Sequence, residues 1–320
     1  MDSIGLSGRP RLPWIDLMKV MGMFFIIYGH LFSYGYQSVY AFNVPVFFII
    51  SGYLFKENQP ASEFWSKLWH QLVIPMLAIC LLNNVYLIVN DLLHHRLEAS
   101  RLMFPLGIMA GEQFYLDVCW FIYTLIILKM ISQFVRGIGF RILLAVACLI
   151  VAFFIAPSVQ SHGWTNALLC VLLTYPFFLS GILARQIEFV RKPLSFWGCL
   201  GGAVLSGAIL CFVSRFNGDV FIYRFIYGNN ILLYLLGGVA GTCLLFFVSK
   251  MFDNSPNWVR ILALGSIVIL GFHRYLIILY RHFFEQNPFD ILVALVILLL
   301  FVPVIGLCIS YFPWLVGNRR

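Results

Sequence analysis

The chain has 320 residues, of which 62% are hydrophobic and only 11% are charged, and its mean hydropathy is +0.92. Because the surface of a soluble domain needs about a quarter of the residues to be charged, this composition excludes a soluble globular protein. The net charge of +8 is typical of membrane proteins that collect Lys and Arg in their cytoplasmic loops, so we expect membrane lipid, and no nucleic acid, as a partner.

Apolar segments close to the length of a membrane-crossing helix recur along the whole chain. A helix needs roughly 20 apolar residues to cross the hydrocarbon core. The candidate spans are residues 13–34, 39–55, 69–92, 113–134, 140–157, 165–184, 194–214, 229–249, 258–282 and 289–315. The sequence therefore predicts an all-α polytopic membrane protein with about ten transmembrane helices, in which residues 1–320 form a single domain.

The first span carries three ionisable residues, Asp16, Lys19 and His30, and such side chains are costly in the membrane unless they face a cavity or a partner. Lys19 and His30 are eleven residues apart, which places them on one face of a helix, about 16 Å apart along its axis. Asp16 lies one turn before Lys19 and is close enough to pair with it. Two interpretations follow: an interfacial ion pair with a separate, hydrogen-bonded core histidine, or a polar track that ends at a catalytic base.

The spans between the first and the ninth carry weaker signals. Asp117, just before Trp120, is placed to orient an imidazole by accepting its N–H. Glycines four residues apart at 198 and 202, and at 237 and 241, predict close helix packing. The eight cysteines lie in apolar runs without a C-x-x-C spacing, so we expect neither a disulfide framework nor a metal site.

The ninth span carries Ser266, His273 and Arg274. Ser266 and His273 are seven residues apart and share a helix face. His273 and His30 lie at similar distances from the starts of their spans, which puts both about 22 Å from the inner boundary on parallel helices. We interpret this either as a shared cavity or as two unrelated packed histidines, with Arg274 extending outward or lining the same cavity.

The distribution of Lys and Arg predicts the orientation. With the N-terminus placed inside, the inner connections hold 14 of these residues and the outer ones five. The inner set is Arg9, Arg11, Lys56, Lys67, Lys129, Arg136, Arg141, Arg185, Arg191, Lys192, Lys250, Arg260, Arg319 and Arg320, and the outer set is Arg96, Arg101, Arg215, Arg224 and Arg281. Because cytoplasmic loops are enriched in positive charge, both termini are predicted to be cytoplasmic.

Two motifs near the N-terminus are specific in combination. Lys19 and His30 match a K/R-x10-H element, which Asp16 precedes as D-x-x-K. Residues 42–53, Phe-Asn-Val-Pro-Val-Phe-Phe-Ile-Ile-Ser-Gly-Tyr, look like an F-x-M-P-L-F-F-x-x-S-G-Y signature.

Two weaker motifs follow, and together the four cover nearly the whole chain. Trp120-Phe121 resembles a W-F-L element, and Gly265-Ser266 followed by His273 resembles a late G-x-x-S…H stretch. In these features the chain resembles the acyltransferase-3 family, integral membrane acyltransferases that include bacterial O-acetyltransferases of surface glycans. It departs from the family where many members have R-x-x-R at the start of the third helix, because the nearest match here is Lys67-x-x-His70.

The resemblance implies the activity and the partners. It implies a multi-pass protein of the bacterial cytoplasmic (inner) membrane that moves an acyl group, most often acetyl, from cytoplasmic acyl-CoA to a carbohydrate or lipid-linked glycan at the outer face. By the same resemblance His30 is the catalytic histidine, acting as base or as transient acyl carrier, Lys19 is its basic partner, and Asp16 belongs to the same motif. The candidate donor- and acceptor-binding residues are Asn43, Ser51, Lys67, His70, Trp120, Tyr123, Ser266, His273 and Arg274.

Two other functional classes remain open from the residues alone. A transporter or exporter of a small anion also needs intramembrane charge and a central cavity. A non-catalytic scaffold that interacts with lipid is the third possibility, but it leaves the alignment of Lys19 with His30 unexplained.

Overall fold

The computed structural model describes residues 12–110, 119–156, 164–252 and 255–317. Within these ranges the regular structure is helical, apart from an isolated antiparallel bridge between Phe221 and Ile226. The predicted all-α class is therefore confirmed for the described part of the chain. The predictions that fall on Arg9, Arg11, Asp117, Arg319 and Arg320 lie outside the described residues.

Fifteen α-helices of very different lengths are joined mostly by short connections. In chain order they are α1 Pro13–His30, α2 Tyr36–Tyr40, α3 Pro45–Tyr53, α4 Ala61–Leu68, α5 Ile74–Leu93, α6 Phe104–Met109, α7 Trp120–Phe134, α8 Ile138–Ile155, α9 Trp164–Ala184, α10 Glu188–Arg191, α11 Phe196–Asn217, α12 Ile231–Lys250, α13 Asn257–Leu264, α14 Ser266–Phe283 and α15 Asp290–Tyr311, all within the described ranges. The π-helical turn Trp69–Val73 joins α4 to α5, and 3₁₀ turns lie at Ala99–Met103, Ile222–Arg224 and Pro313–Val316.

Five helical segments in the described ranges are long and apolar enough to cross a membrane: Ala61–Leu93, Ile138–Ile155, Phe196–Asn217, Ile231–Lys250 and Asp290–Tyr311. The bent pair α13 and α14 makes a sixth if it crosses as one span, and shorter apolar helices lie at Ala99–Met109, Trp120–Phe134 and Leu168–Ala184. α1 has 18 residues but is less hydrophobic, because Asp16, Lys19 and His30 interrupt its apolar sequence. The protein is thus helical and multi-pass, while the predicted count of ten is not confirmed.

Two spans that we predicted as single helices are broken. The second, 39–55, divides into α2 and α3, because the proline at the start of α3 has no N–H to donate and favours the first position of a new helix. The ninth, 258–282, bends by 84° at Gly265. A Cβ atom at Gly265 would collide with the Ile305 side chain on α15, so this close approach of backbone to side chain requires glycine.

Small residues allow the central helices to pack closely. The backbones of α3 and α9 meet where a Cβ on Gly52 would strike the Phe178 carbonyl and a Cβ on Gly181 would strike the Ile49 carbonyl. One glycine of the predicted pairs also allows close packing, because the Phe247 ring of α12 lies where a Cβ atom on Gly202 of α11 would be. Close packing of this kind replaces the hydrophobic effect as a source of helix association in lipid.

Contacts between loops group them at two ends of the bundle. At one end, called the histidine end, the contacts are Arg281 with Leu31, Tyr36 with Asp219, and Asn166 with Tyr223. At the other, called the lysine end, they are Arg141 with Glu57, Arg185 with Phe55, Lys250 with Lys192, and Ser255 with Pro13. This grouping matches the predicted alternation of outer and inner connections, and the assignment of the lysine end to the cytoplasm stays a prediction.

Candidate active site

His30 is the last residue of α1, and its ring is half-buried at the histidine end. Its Nδ1 lies 2.8 Å from the carbonyl oxygen of Ile26, one turn earlier. Because a carbonyl oxygen only accepts, this bond assigns the proton of the neutral ring to Nδ1 and leaves a lone pair on Nε2. The local helix geometry therefore presents Nε2 as the basic atom of His30.

His273 on α14 is fully buried and has the same arrangement. Its Nδ1 donates to the carbonyl oxygens of Ile269 and Leu270, at 2.9 and 3.0 Å. Its Nε2 has no hydrogen-bond partner among the described residues. The ring centroids of His30 and His273 are 4.9 Å apart, edge to face at 81°. The two rings therefore lie side by side, as the first of the two interpretations requires.

Both rings line a small cavity of about 50 Å³, called the histidine cavity. Its lining consists of Ile26, His30, Tyr40, Asn43, Val44, Trp120, Phe121, Ile222, Tyr223, Leu270 and His273. The side chain of Asn43 is only 1% exposed, and neither its Oδ1 nor its Nδ2 has a hydrogen-bond partner among the described residues. Buried amides without partners are rare in folded proteins and call for a functional explanation.

The loop 218–230 closes one wall of this cavity with Ile222 and Tyr223. Buried asparagines fix its backbone, since Asn166 Nδ2 donates to the Tyr223 carbonyl and Asn217 Nδ2 donates to the Tyr227 carbonyl, each at 2.9 Å. No spacing along the chain relates a loop after α11 to the end of α1, so the sequence alone does not predict this wall.

Next to this loop the phenol of Tyr36 donates to Asp219 Oδ1 at 3.3 Å. Loss of hydration, reinforced by the Asp219 carboxylate, raises the pKa of Tyr36 above its ordinary value. The phenol therefore stays protonated and keeps its role as donor at neutral pH.

A second, more polar cavity of about 440 Å³ lies at the lysine end and is called the lysine cavity. Its lining consists of Leu54, Phe55, Lys56, Gln59, Glu63, Phe64, Lys67, Leu68, Gln71, Leu72 and Lys129. Lys129 lies within electrostatic range of Lys19 and Lys67, and Lys67 pairs with Glu63. A cluster of cations around a polar cavity suits a ligand that carries several negative charges.

Three helices run between the two cavities. α1 carries Lys19 and, three turns later, His30. α7 carries Phe121 at the histidine cavity and Lys129 at the lysine cavity, and these two residues are about 12 Å apart along the axis of α7. α3 begins next to Val44 of the first cavity and ends next to Leu54 of the second. Among the described residues the two cavities share no lining residue.

Aromatic side chains occupy the interval between the cavities. The ring of Phe121 packs against Phe47 at 6.0 Å and Phe48 at 4.7 Å, measured between centroids. Phe47 and Phe48 are 7% and 0% exposed. A polar track, one of the two interpretations of α1, would therefore have to pass a packed apolar layer between the two cavities.

Several predicted site residues lie outside both cavities. Ser51 on α3, Tyr123 on α7 and His70 in the π-helical turn are half-buried and line neither cavity. The Nδ1 of His70 is 2.7 Å from the Ser66 carbonyl oxygen. Ser266 opens α14 at the bend, about 10 Å along the axis from His273. The structure therefore does not bring Ser266 to the histidines.

Arg274 has an exposed side chain and does not line the cavity, yet its charge lies within electrostatic range of His30, His273 and Tyr40. Of the two positions that we considered, the structure favours the outward one. Within the described residues no group of three or more His, Cys, Asp or Glu side chains is arranged to hold a metal ion.

A comparison with known protein families identifies the family to which this fold belongs. The model of the acyltransferase domain of family 3 matches residues 12–312. The chain belongs to the acyltransferase-3 family. No curated protein and no solved structure matches it significantly. Together with its apolar helices, family membership makes this acyltransferase a multi-pass membrane protein and confirms the resemblance that the four motifs indicated.

Proposed function

We propose that this acyltransferase carries an acyl group, most commonly acetyl, from cytoplasmic acyl-CoA to a hydroxyl of a carbohydrate or lipid-linked glycan at the outer face of the bacterial cytoplasmic membrane. The observation that carries the proposal is the pairing of a lysine-lined cavity at one end of the bundle with a histidine-lined cavity at the other. A donor that binds through its phosphates and an acceptor that reacts through a hydroxyl group suit these two different environments.

Acyl-CoA, with acetyl-CoA as its commonest form, docks at the lysine cavity. Its phosphates pair with Lys67 and Lys129, with Lys19 adding positive charge from α1, because charge-assisted bonds to phosphate are among the strongest in proteins. Lys129 adds a cation to the cavity in which Lys67 stands for the first arginine of the R-x-x-R element. The thin pantetheine arm then extends along α1 and α7 and displaces the aromatic layer, which brings the thioester to the histidine cavity.

His30 supplies the base for transfer. Nε2 takes the proton of the acceptor hydroxyl as its oxygen attacks the thioester carbonyl, the C–S bond breaks, and the CoA sulfur leaves with that proton. The same lone pair serves a second route, in which Nε2 itself attacks the carbonyl, the C–S bond breaks and CoA leaves as the thiolate. The acceptor oxygen then displaces the imidazole from the acyl group, and the acceptor's proton passes to the CoA thiolate. In both routes the bond from Nδ1 to the Ile26 carbonyl keeps the ring in the required tautomer.

Asn43 stabilises the negative charge that develops on the thioester oxygen. Its Nδ2 has no hydrogen-bond partner among the described residues, so it can donate to this oxygen. A donor placed in this way in a water-poor site typically accelerates acyl transfer by about 10²- to 10³-fold.

The test is acyl transfer by His30→Ala in membranes of the host that lack the native copy, with labelled acetyl-CoA as donor. We expect transfer to glycan to fall by about 10²- to 10⁴-fold, the contribution of a general base, with normal membrane insertion. His94→Ala is the matched control, because the His94 ring is exposed and makes the same Nδ1 bond to a carbonyl four residues earlier, that of Asn90.

Full transfer by the His30 variant would exclude the catalytic role. The same assay separates transfer from the transport of a small anion. A transporter moves solute across the vesicle and leaves no label covalently bound to glycan.

A further inference from the structure

One buried ion pair lies close to the histidine cavity but is not used in the proposed chemistry. Arg281 in the last turn of α14 donates from Nη2 to Asp290 Oδ2 and to the Leu31 carbonyl oxygen, both at 2.6 Å. Its Nη1 donates to the Glu285 carbonyl at 2.8 Å. One guanidinium therefore joins the end of α1, the end of α14 and the start of α15.

The carboxylate of Asp290 is fully buried and well bonded. Besides Arg281 it accepts from the Tyr280 hydroxyl at 3.1 Å and from the Asn287 backbone N–H at 3.4 Å, and Asn287 Nδ2 in turn donates to the Tyr280 oxygen at 2.8 Å. These bonds build the turn between α14 and α15. The Asp290 carboxylate thus fixes the orientation of the Arg281 guanidinium that also contacts α1.

We propose that Arg281 and Asp290 are positioning residues that set the separation of the His30 and His273 rings. The inference rests on the proposed catalytic role of His30. Leu31 directly follows His30 in the chain, so a donor that fixes the Leu31 carbonyl also fixes the last turn of α1. The same donor belongs to the helix that carries His273, eight residues before Arg281.

The geometry requires arginine rather than any cation. The carbonyls of a helix's last turn lack intrahelical partners and carry partial negative charge, which a lysine also satisfies. Lysine, however, has a single ammonium and cannot reproduce the planar fork that reaches three acceptors from two nitrogens. Arg281→Lys keeps the charge but releases α1 from α14.

The test compares Arg281→Lys with Arg101→Lys. Arg101 pairs with Asp91 at 2.8 Å, its side chain is 21% exposed against 22% for Arg281, and neither Arg101 nor Asp91 lines a cavity. In host membranes with labelled acetyl-CoA we expect Arg281→Lys to lower kcat by about 10- to 100-fold, the effect of a misplacement of about 1 Å, while the KM for acetyl-CoA is unchanged. Arg101→Lys should keep both constants.

A second measurement reads the position of His30 without relying on transfer. Diethyl pyrocarbonate modifies unprotonated imidazole, and mass spectrometry gives the modification rate of His30 relative to His94 in the same purified molecules. We expect this ratio to change at least threefold in Arg281→Lys and to stay constant in Arg101→Lys. Asp290→Glu, which keeps both charges while shifting the guanidinium, should behave as Arg281→Lys does and replaces it if that variant does not fold.

The outcomes separate this inference from the proposed function. An unchanged modification ratio in both pair variants overturns the positioning role, whatever happens to kcat. If His30→Ala keeps full transfer, the proposed function fails, and the modification ratio still decides whether the pair holds His30 in place. Equal kcat in Arg281→Lys and Arg101→Lys overturns any catalytic consequence of the pair.

Discussion

Two buried asparagines of this membrane domain are satisfied to very different degrees. Asn83 on α5 accepts from the Tyr275 hydroxyl at 3.0 Å and donates to the Gly271 carbonyl at 3.5 Å. Asn43 is equally buried, yet neither of its amide atoms has a partner in the described part of the chain. Loss of a buried hydrogen-bond partner costs about 1–3 kcal/mol of stability, so Asn83 has more protein hydrogen bonding to lose than Asn43.

Substitution by alanine should therefore affect the two asparagines in opposite ways. We expect Asn43→Ala to leave the thermal midpoint unchanged or slightly raised, because an unsatisfied amide is removed, while transfer falls by about 100-fold with the oxyanion donor. Asn83→Ala should lose about 1–3 kcal/mol of stability and retain its rate per folded molecule. Thermal unfolding in detergent and transfer rates in membranes measure both. A destabilised Asn43→Ala with normal activity would contradict the assignment.

At the scale of single residues, sequence reasoning was most successful where helical spacing fixes the geometry. Lys19 and His30 lie on one helix, and periodicity relates them directly. His273 was found because an imidazole inside a span needs a partner or a cavity. Tyr223 and Lys129 were missed as site residues, because a loop wall and the meeting of α7 with α4 depend on tertiary contacts that no local pattern encodes.

At the scale of elements, the short helix α3 depends on its contact with α9. It has nine residues, too few to cross the hydrocarbon core of about 30 Å, and isolated helices of this length are unstable. Its position is secured where Gly52 and Gly181 let the two backbones touch. Since α3 runs between the two cavities, this contact also fixes their relative placement.

Adding one methyl group at this contact should disrupt it. We expect Gly52→Ala to lower stability by about 1–3 kcal/mol, as overpacking does, because the added Cβ meets the Phe178 carbonyl rather than a flexible side chain. Gly201→Ala on α11 is the control, since no atom lies within 4 Å of its added Cβ. That variant should gain about 0.5–1 kcal/mol from helix propensity. Equal thermal midpoints for the two variants would argue against close packing of α3 on α9.

The sequence predicts the ends of some helices but not of others. The apolar runs of α8, α11, α12 and α15 are long and continuous, and the predicted spans coincide with these helices within a few residues. The break before Pro45 was visible as a proline but was placed inside a span. The 84° bend at Gly265 depends on packing against Ile305, a residue 40 positions later, and local pattern does not reveal it.

At the scale of the whole molecule, basic side chains from three separate helices converge at the lysine end. Lys129 on α7 lies within electrostatic range of Lys19 on α1 and of Lys67 on α4. Like charges repel, and the Glu63 carboxylate that pairs with Lys67 offsets part of this repulsion. A cluster with more positive than negative charge around a polar cavity fits the binding of an anionic ligand.

Removal of one of these cations should weaken donor binding without loss of stability. We expect Lys129→Ala to raise the KM for acetyl-CoA by about 10- to 100-fold, which corresponds to one charged hydrogen bond of about 1.5–3 kcal/mol, and to leave the thermal midpoint unchanged or higher. Lys192→Ala is the control, because Lys192 is 65% exposed and pairs with Glu188 by i,i+4 spacing on a surface helix. Steady-state kinetics at low and high salt measure the effect, and an unchanged KM would remove Lys129 from the donor site.

The aromatic layer formed by Phe47, Phe48 and Phe121 has a physiological consequence. Hydrated ions do not cross an apolar barrier at low energy, because they would have to shed their water. Under the proposed function, a catalytic centre open to both sides of the membrane at once would let ions leak through the protein. These three rings would keep the resting protein closed to ions, and the pantetheine arm of the donor would occupy the opening that its own entry creates.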